Sequence, residues 1–333
     1  MYRLIRSILW QFPPETAHHF ALSLLDFCPA FLFPKPIGQP VQVMGLTFPH
    51  ALGLAAGFDC DGVYLSALAK LGFAFIEVGG VTPRAQSGQI KPRLFRLPKA
   101  HALINRMGFC NQGVEALVKR VQASNYQGIL GVNIAKNKST PLEMAVHDYI
   151  FCMQKVYPIA SYITINISSP NMPHLRDLQK TDYFRTLMSQ LREEQLALAD
   201  RGGHYVPLAV KLSPDESDES LKRMADVLVS LGIDSIVATN TTISREKVSH
   251  VAHGLEEGGL SGRPLAERST ACLRLLKTVV GDAMTLIAVG GIDSPERARE
   301  KLDAGASLLQ VYSGLVYEGP ALISRILQEL RRV

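Results

Sequence analysis

Tyr162-Ile163-Thr164-Ile165-Asn166-Ile167-Ser168-Ser169-Pro170-Asn171 opens on a β-branched and aromatic run that reads as a buried strand. Two amides, two hydroxyls and a proline follow directly. In parallel α/β folds, chemistry collects just past the carboxyl ends of strands. Amides there can bind a planar polar ring by donating and accepting at once, and a hydroxyl beside them can move a proton. The plain alternative is a polar turn, since Ser-Pro-Asn is ordinary turn chemistry. The other strand ends decide between the two.

Working outward, strand-like runs alternate with helix-like ones. Strands are expected near Leu52–Ala55, Phe75–Val78, Ile129–Asn133, Tyr162–Asn166, Leu208–Lys211, Ser235–Thr239, Thr285–Val289 and Leu308–Val311. Helical spacing falls between them, near 64–71, 113–122, 142–156, 183–199, 219–231, 265–280 and 295–304, with a last helix at 321–331. Ser294-Pro295-Glu296 is a clean helix start. Eight strands, each followed by a helix, predict a (β/α)8 TIM barrel. A doubly wound sheet is the runner-up, because sequence cannot show closure. Two long connections, 82–110 and 240–262, are expected to be functional. A small hairpin, Val41–Val43 with Leu46–Phe48, precedes the barrel.

Residues 1–38 differ in texture and predict an N-terminal two-helix extension, with residues 39–333 forming the barrel. Ile5, Ile8, Leu9 and Phe12 repeat at helical spacing; Pro13-Pro14 breaks that helix and starts another. Ala17, Phe20, Ala21, Leu24 and Cys28 then line one face, until Pro29, Pro34 and Pro36 end the segment. Such a pair either lids the core or lies in a membrane interface.

The chain has 333 residues, 47% hydrophobic and 20% charged, with a net charge of +5. That is the composition of a globular protein with a large core, and the mild positive excess argues little for nucleic acid. Five cysteines without a C-x-x-C pair give neither a disulfide framework nor a zinc pattern. A reducing compartment fits, and no metal is expected.

Each strand end adds to the census. The first gives Ala55-Ala56-Gly57-Phe58-Asp59-Cys60, the second Gly79-Gly80, and the long loop after it Asn105-Arg106-Met107-Gly108-Phe109. The third ends in Asn133 and the fifth in Lys211; the sixth gives Thr239-Asn240-Thr241. Gly290-Gly291 and Tyr312-Ser313-Gly314 follow the seventh and eighth strands, where barrels commonly bind phosphate. Gly258-Gly259-Leu260-Ser261-Gly262 adds to that cradle. No strand end carries paired carboxylates or a metal-ligand cluster, and none carries a histidine. Amides, hydroxyls and one lysine suit a bound cofactor that carries the hard chemistry. A phosphate-bearing planar cofactor in a barrel is chiefly a flavin mononucleotide (FMN) or pyridoxal phosphate. Amides at this density favour FMN.

Taken together, the motifs resemble those of the dihydroorotate dehydrogenases, in the membrane-associated, quinone-reducing class 2. The match includes Gly53-Leu54-Ala55-Ala56-Gly57, Lys91-Pro92-Arg93-Leu94-Phe95-Arg96, Asn105–Phe109, Asn166–Asn171, Ala238–Thr242, Gly258–Pro264, Val289–Ile292 and Tyr312–Gly314. The resemblance implies oxidation of dihydroorotate to orotate in pyrimidine synthesis, with hydride passing to FMN and reoxidation by ubiquinone or menaquinone. It implies Ser169 as the base. The implied cofactor contacts are Ala55, Ala56, Gly57, Gly80, Asn133, Asn166, Lys211, Thr239, Gly262, Gly291, Tyr312 and Ser313. The implied substrate contacts are Cys60, Asn105, Arg106, Met107, Gly108, Phe109, Asn166, Asn171, Asn240 and Thr241. The N-terminal helices are expected to form a quinone tunnel and a peripheral membrane attachment, at the cytoplasmic face of the cell membrane in a bacterium.

Four departures from the family pattern stand out. Cys60 replaces the usual lysine, Gly80 a threonine, Cys110 an asparagine and Ala135 a glycine. Two other readings stay open: a related FMN barrel acting on another dihydropyrimidine, and a non-catalytic flavin- or orotate-binding protein.

Overall fold

A computed structural model describes residues 2–33, 38–172, 174–179 and 181–331; Pro34 and Pro36 lie outside the described residues. Eight strands, Leu52–Leu54, Phe75–Val81, Ile129–Ile134, Tyr162–Asn166, Leu208–Leu212, Ser235–Ala238, Thr285–Val289 and Leu308–Val311, pair in parallel in chain order. Leu309 pairs with Leu52, and this last pairing closes the barrel. Closure is what separates this fold from a doubly wound sheet. Most of these strands are buried along their whole length, as near-continuous apolar runs covered on both faces should be.

The hairpin forms as read, with Val41 opposite Phe48. Phe48 is fully buried and packs edge-on against Phe75 at 5.2 Å between ring centroids. They belong to a cluster with Tyr162, Ala209, Val237, Ile287 and Leu308. The hairpin thus stops the amino end of the barrel and leaves the carboxyl end for chemistry. The helices fall close to expectation, the longest being Thr181–Gly202. Ser294 caps its helix by accepting from Arg297 N–H, and Ser217 does the same for Ser220 N–H at 3.1 Å.

The two long connections are not plain loops. Leu94–Leu97, Ala102–Asn105 and Gly259–Gly262 pair antiparallel into a three-stranded sheet, with Ala102–Asn105 in the middle. The pairing sets Gly259 against Asn105 and so carries Asn105 over the carboxyl end of the barrel.

Helix α1 (Tyr2–Leu9) and helix α2 (Pro14–Phe27) precede the hairpin. Ala17 and Leu22 of α2 are buried, and Leu25 packs against the core. Phe20, Leu24, Phe27 and Phe31 are exposed, the last two at 85% and 84%. The expected single apolar stripe is therefore divided, with one part docked and the other facing outward. Among the described residues, no helix is long and apolar enough to cross a membrane.

Candidate active site

The carboxyl ends of the strands surround one cavity. Its wall holds Asn105, Asn166, Ser169, Asn171, Lys211 and Asn240. Most other expected site residues share that wall: Ala55, Ala56, Gly57, Cys60, Gly80, Met107, Gly108, Phe109, Thr239, Thr241, Gly262, Gly291, Tyr312 and Ser313. Residues up to 258 positions apart in sequence, from Ala55 to Ser313, meet here because the barrel closes.

The amides are held in one orientation by a carboxylate inside the barrel. Glu77, fully buried, accepts from Asn133 Nδ2 (2.9 Å), Tyr162 Oη (2.9 Å) and Gln310 Nε2 (2.6 Å). Asn133 must then present its oxygen to Asn166, whose Nδ2 donates to Asn133 Oδ1 at 3.0 Å. Asn166 in turn turns its oxygen toward Asn240, which donates from Nδ2 at 3.3 Å and also reaches Ser168 Oγ at 3.0 Å. Asn240 Oδ1 accepts from Thr241 N–H at 2.8 Å. An amide alone can flip; a chain anchored on an acceptor-only group cannot without leaving donors facing donors. Asn133 was expected at the cofactor, but it lies beneath the wall as the link between Glu77 and Asn166. Glu77 and Gln310 were missed as site residues. Their place in mid-strand is ordinary for core residues, and the only signal was a charged group inside an apolar run.

Ser169, largely buried, lies on the loop after the fourth strand. Its Oγ accepts a long hydrogen bond from Asn171 N–H at 3.4 Å. Asn171 Nδ2 donates to Asn105 Oδ1 at 3.0 Å, tying this loop to the small sheet. Asn171 Oδ1 and Gln310 Oε1 are buried without a protein partner, and both residues line the cavity. Lys211 brings a buried cation to the same wall. Burial pushes its ammonium below the ordinary lysine value, and the charge of Glu77 opposes that shift.

The glycines at the seventh and eighth strand ends permit a close approach. Gly291 has φ +73°, and a Cβ there would fall 2.4 Å from Ala266 Cβ, at the start of the helix Ala266–Val280. Ser313 Oγ lies 2.7 Å from Ser261 Oγ, joining the eighth strand end to the small sheet.

Arg106 departs from its expected place. Its guanidinium pairs with Glu256 at 3.0 Å and lies 4.6 Å over the Phe95 ring, so the side chain is spent on the outer side of the small sheet and does not line the cavity. Gly80 is explained by packing. A Cβ there would lie 2.8 Å from the Phe109 ring, so the ring takes the space a threonine side chain would need.

A second cavity lies between α2 and the barrel. Glu15, His18 and His19 of α2 line it, together with Phe58, Tyr64, Arg93 and Cys110. Gly57, Cys60, Met107 and Tyr312 belong to both walls. Arg93 holds Glu15 through two 3.0 Å hydrogen bonds. His18 Nε2 lies 2.8 Å from Phe58 O, and burial pushes its imidazole down to about 4.

A closed parallel barrel with an amide-rich cavity at the carboxyl ends of its strands defines a (β/α)8-barrel enzyme. Residues 40–333 match the model of the family described as dihydroorotate dehydrogenase. The chain belongs to the dihydroorotate dehydrogenase family. It is 60% identical over 333 residues, the whole of both chains, to the "dihydroorotate dehydrogenase (quinone)" of Legionella pneumophila (strain Lens). It is 50% identical to the protein of the same name from Azotobacter vinelandii (strain DJ), over 99% of this chain and 96% of the relative. The crystal structure of DHODH from Eimeria tenella in complex with ferulenol superposes with a TM-score of 0.89 at 36% identity, covering 95% of this chain and 90% of that one.

Proposed function

We propose that this protein oxidises dihydroorotate and passes the electrons to a quinone, using bound FMN. The observation that carries the reading is the set of four amides, Ser169 and Lys211 on one cavity wall, in a chain that is full-length similar to proteins named quinone-type dihydroorotate dehydrogenases.

The residues present suit the flavin. Two buried acceptors without partners, Asn171 Oδ1 and Gln310 Oε1, leave hydrogen bonds for ligand donors. Gly262, Gly291 and Ser313 offer bare or small surfaces to a phosphate-bearing chain, and Ala55, Ala56 and Gly57 do so for a flat ring. FMN, when bound, supplies the two-electron acceptor that no side chain here can replace. Lys211, on the same wall, would offset the negative charge that develops on reduction.

Asn105, Asn166, Asn171 and Asn240 would bind the pyrimidine acid through alternating donors and acceptors, in the orientation fixed from Glu77. Ser169 would take the substrate proton. A serine hydroxyl is a weak base, so the loop must exclude bulk water and hold the hydroxyl in line. With FMN held by this wall, its chemistry would be to take the two electrons and the hydride that dihydroorotate gives up, and to yield the electrons to a quinone in a second half-reaction.

The second cavity would admit the quinone. It shares a wall with the first, and α2, which lines it through Glu15, His18 and His19, also carries exposed apolar side chains. Exposed Phe20, Leu24, Phe27 and Phe31 suit peripheral attachment to a membrane surface, at the cytoplasmic face in a bacterium. The test is substrate-dependent reduction of bound flavin followed by reoxidation with quinone. Purified protein carrying flavin that dihydrouracil reduces and dihydroorotate does not would reassign the substrate.

A further inference from the structure

Lys301, on the helix Pro295–Asp303, is fully buried. A lysine is rarely so without an ion-pair partner. The neighbouring carboxylate, Glu300, pairs instead with Arg297 at 2.7 Å and Arg274 at 3.9 Å. The Lys301 ammonium donates to two neutral oxygens, Ala266 O at 3.1 Å and Ser269 Oγ. Burial pushes it down to about 7, so its charge is held only weakly where it sits.

The two oxygens lead to the first cavity. Ser269 Oγ, also fully buried, lies within reach of Ala266 O at 3.0 Å and of Gly290 O at 2.9 Å. A hydroxyl has one hydrogen to give. Ala266 O already accepts from Lys301 and from Thr270 Oγ1 at 2.9 Å, so the Ser269 hydrogen goes to Gly290 O. In a trans peptide the carbonyl and the following N–H point opposite ways. Holding Gly290 O against the helix Ala266–Val280 therefore turns the Gly291 N–H away from that helix. Gly290 and Gly291 line the first cavity, and among the described residues no backbone carbonyl accepts from the Gly291 N–H.

We propose that Lys301 is a positioning residue for the phosphate end of the flavin: it commits Ser269 to Gly290 O, which presents the Gly291 N–H, and it sets a buried positive charge behind that peptide. The inference rests on the reading of FMN as the cofactor and assigns its selection to two residues that do not line the cavity. A phosphate gains both the aimed donor and the charge; a flavin without phosphate gains neither. Without the Lys301 ammonium, the Ser269 hydrogen can return to Ala266 O, and the glycine peptide loses its hold.

The test is an exchange equilibrium. Purified full-length holoenzyme, unaltered and as Lys301→Met, is incubated with a mixture of FMN and riboflavin until the bound ratio is constant. Bound flavin is then isolated by gel filtration and quantified by chromatography. The expected result is that Lys301→Met lowers the bound FMN-to-riboflavin ratio by roughly tenfold, the lower worth of a charge-assisted hydrogen bond. Ser269→Ala should move the ratio the same way by less, and it carries the comparison if Lys301→Met does not fold. A variant that holds both flavins more weakly at an unchanged ratio would make the lysine merely structural and overturn the proposal. Unaltered protein that carries flavin without preferring FMN would overturn it as well. Unaltered protein that carries no flavin would instead overturn the FMN reading on which the proposal rests, so the two failures are distinct.

Discussion

Among the described residues, the Ser169 hydroxyl accepts one long hydrogen bond, from Asn171 N–H, so the proposal that it is the base rests on its position in the cavity. Ser169→Ala should retain flavin and slow its reduction by dihydroorotate by roughly 10²–10⁴-fold, the usual worth of a positioned base; anaerobic stopped-flow absorbance checks this, and an unchanged rate would remove Ser169 from the chemistry. Glu77 is tested differently. Glu77→Gln places an NH2 among three donors, so a buried donor loses its acceptor at a cost of about 1–3 kcal/mol. The expected result is a lower thermal midpoint together with weaker orotate binding, because the amide chain from Asn133 to Asn240 loses its fixed sense. A lower midpoint with unchanged orotate binding would leave Glu77 a core residue only. Cys60→Lys would restore a cation facing an anionic ligand. Orotate binding by calorimetry should then tighten by roughly ten- to a hundredfold, the worth of a charge-assisted hydrogen bond. Asn166, Lys211, Asn240 and the glycines were legible because they stand at or just past the ends of apolar runs, whereas Asn105, Asn171 and the role of Ser169 rest on the family resemblance. Glu77 was not, since mid-strand position hides an inward-facing anchor, and neither was the direction of Arg106, which depends on Glu256 across a sheet the sequence does not announce.

At the scale of elements, α2 docks through groups whose protonation is sensitive to pH. The His18 imidazole is held down to about 4 when docked, against an ordinary 6.5. Between those values the undocked state binds the extra proton, so docking is complete above about pH 6.5 and weakens as pH falls toward 4, by at most about 1.4 kcal/mol per unit. Burial pushes the Glu15 carboxyl up, but the paired hydrogen bonds and charge of Arg93, with Lys91, outweigh it and hold the group below its ordinary value. That contribution is present above the ordinary carboxylate range and is lost as pH falls through the lowered value, so both groups act in the same direction. Trp10, the one tryptophan of the chain, packs edge-on against Tyr317 at 5.5 Å. Its emission should move to the red between pH 7 and about pH 4.5, and an unmoved spectrum would mean that His18 does not govern docking. Removing residues 1–36 should reduce turnover with long-chain quinones far more than it reduces flavin reduction; equal losses would make the two helices a simple lid. Helices α1 and α2 were legible from spacing and proline breaks. The three-stranded sheet was not, because Gly259–Gly262 pairs with residues about 150 positions earlier, and four-residue strands carry too little periodicity to declare a partner.

Over the whole molecule, one pairing decides the architecture. Leu309 beside Leu52 turns an open sheet into a barrel, and only then do Ala55, Ser169, Lys211 and Ser313 face one space. The alternation of strands and helices was readable from residue 52 onward because parallel strands buried on both faces are apolar throughout; the closing pair was not, since it joins the two ends of the barrel. The hairpin around Phe48 packs against the opposite end of the barrel, and the cavity at the carboxyl end adjoins the cavity under α2. The central claim is that these adjoining cavities serve one flavin, reduced from one side and reoxidised from the other. Its most direct test is the absorbance spectrum of the purified full-length protein, recorded anaerobically before and after dihydroorotate and again after a quinone. The account predicts a yellow protein that bleaches with dihydroorotate and recovers its colour with quinone. A colourless protein without flavin by mass spectrometry, or a yellow one that dihydroorotate leaves unchanged, would contradict it.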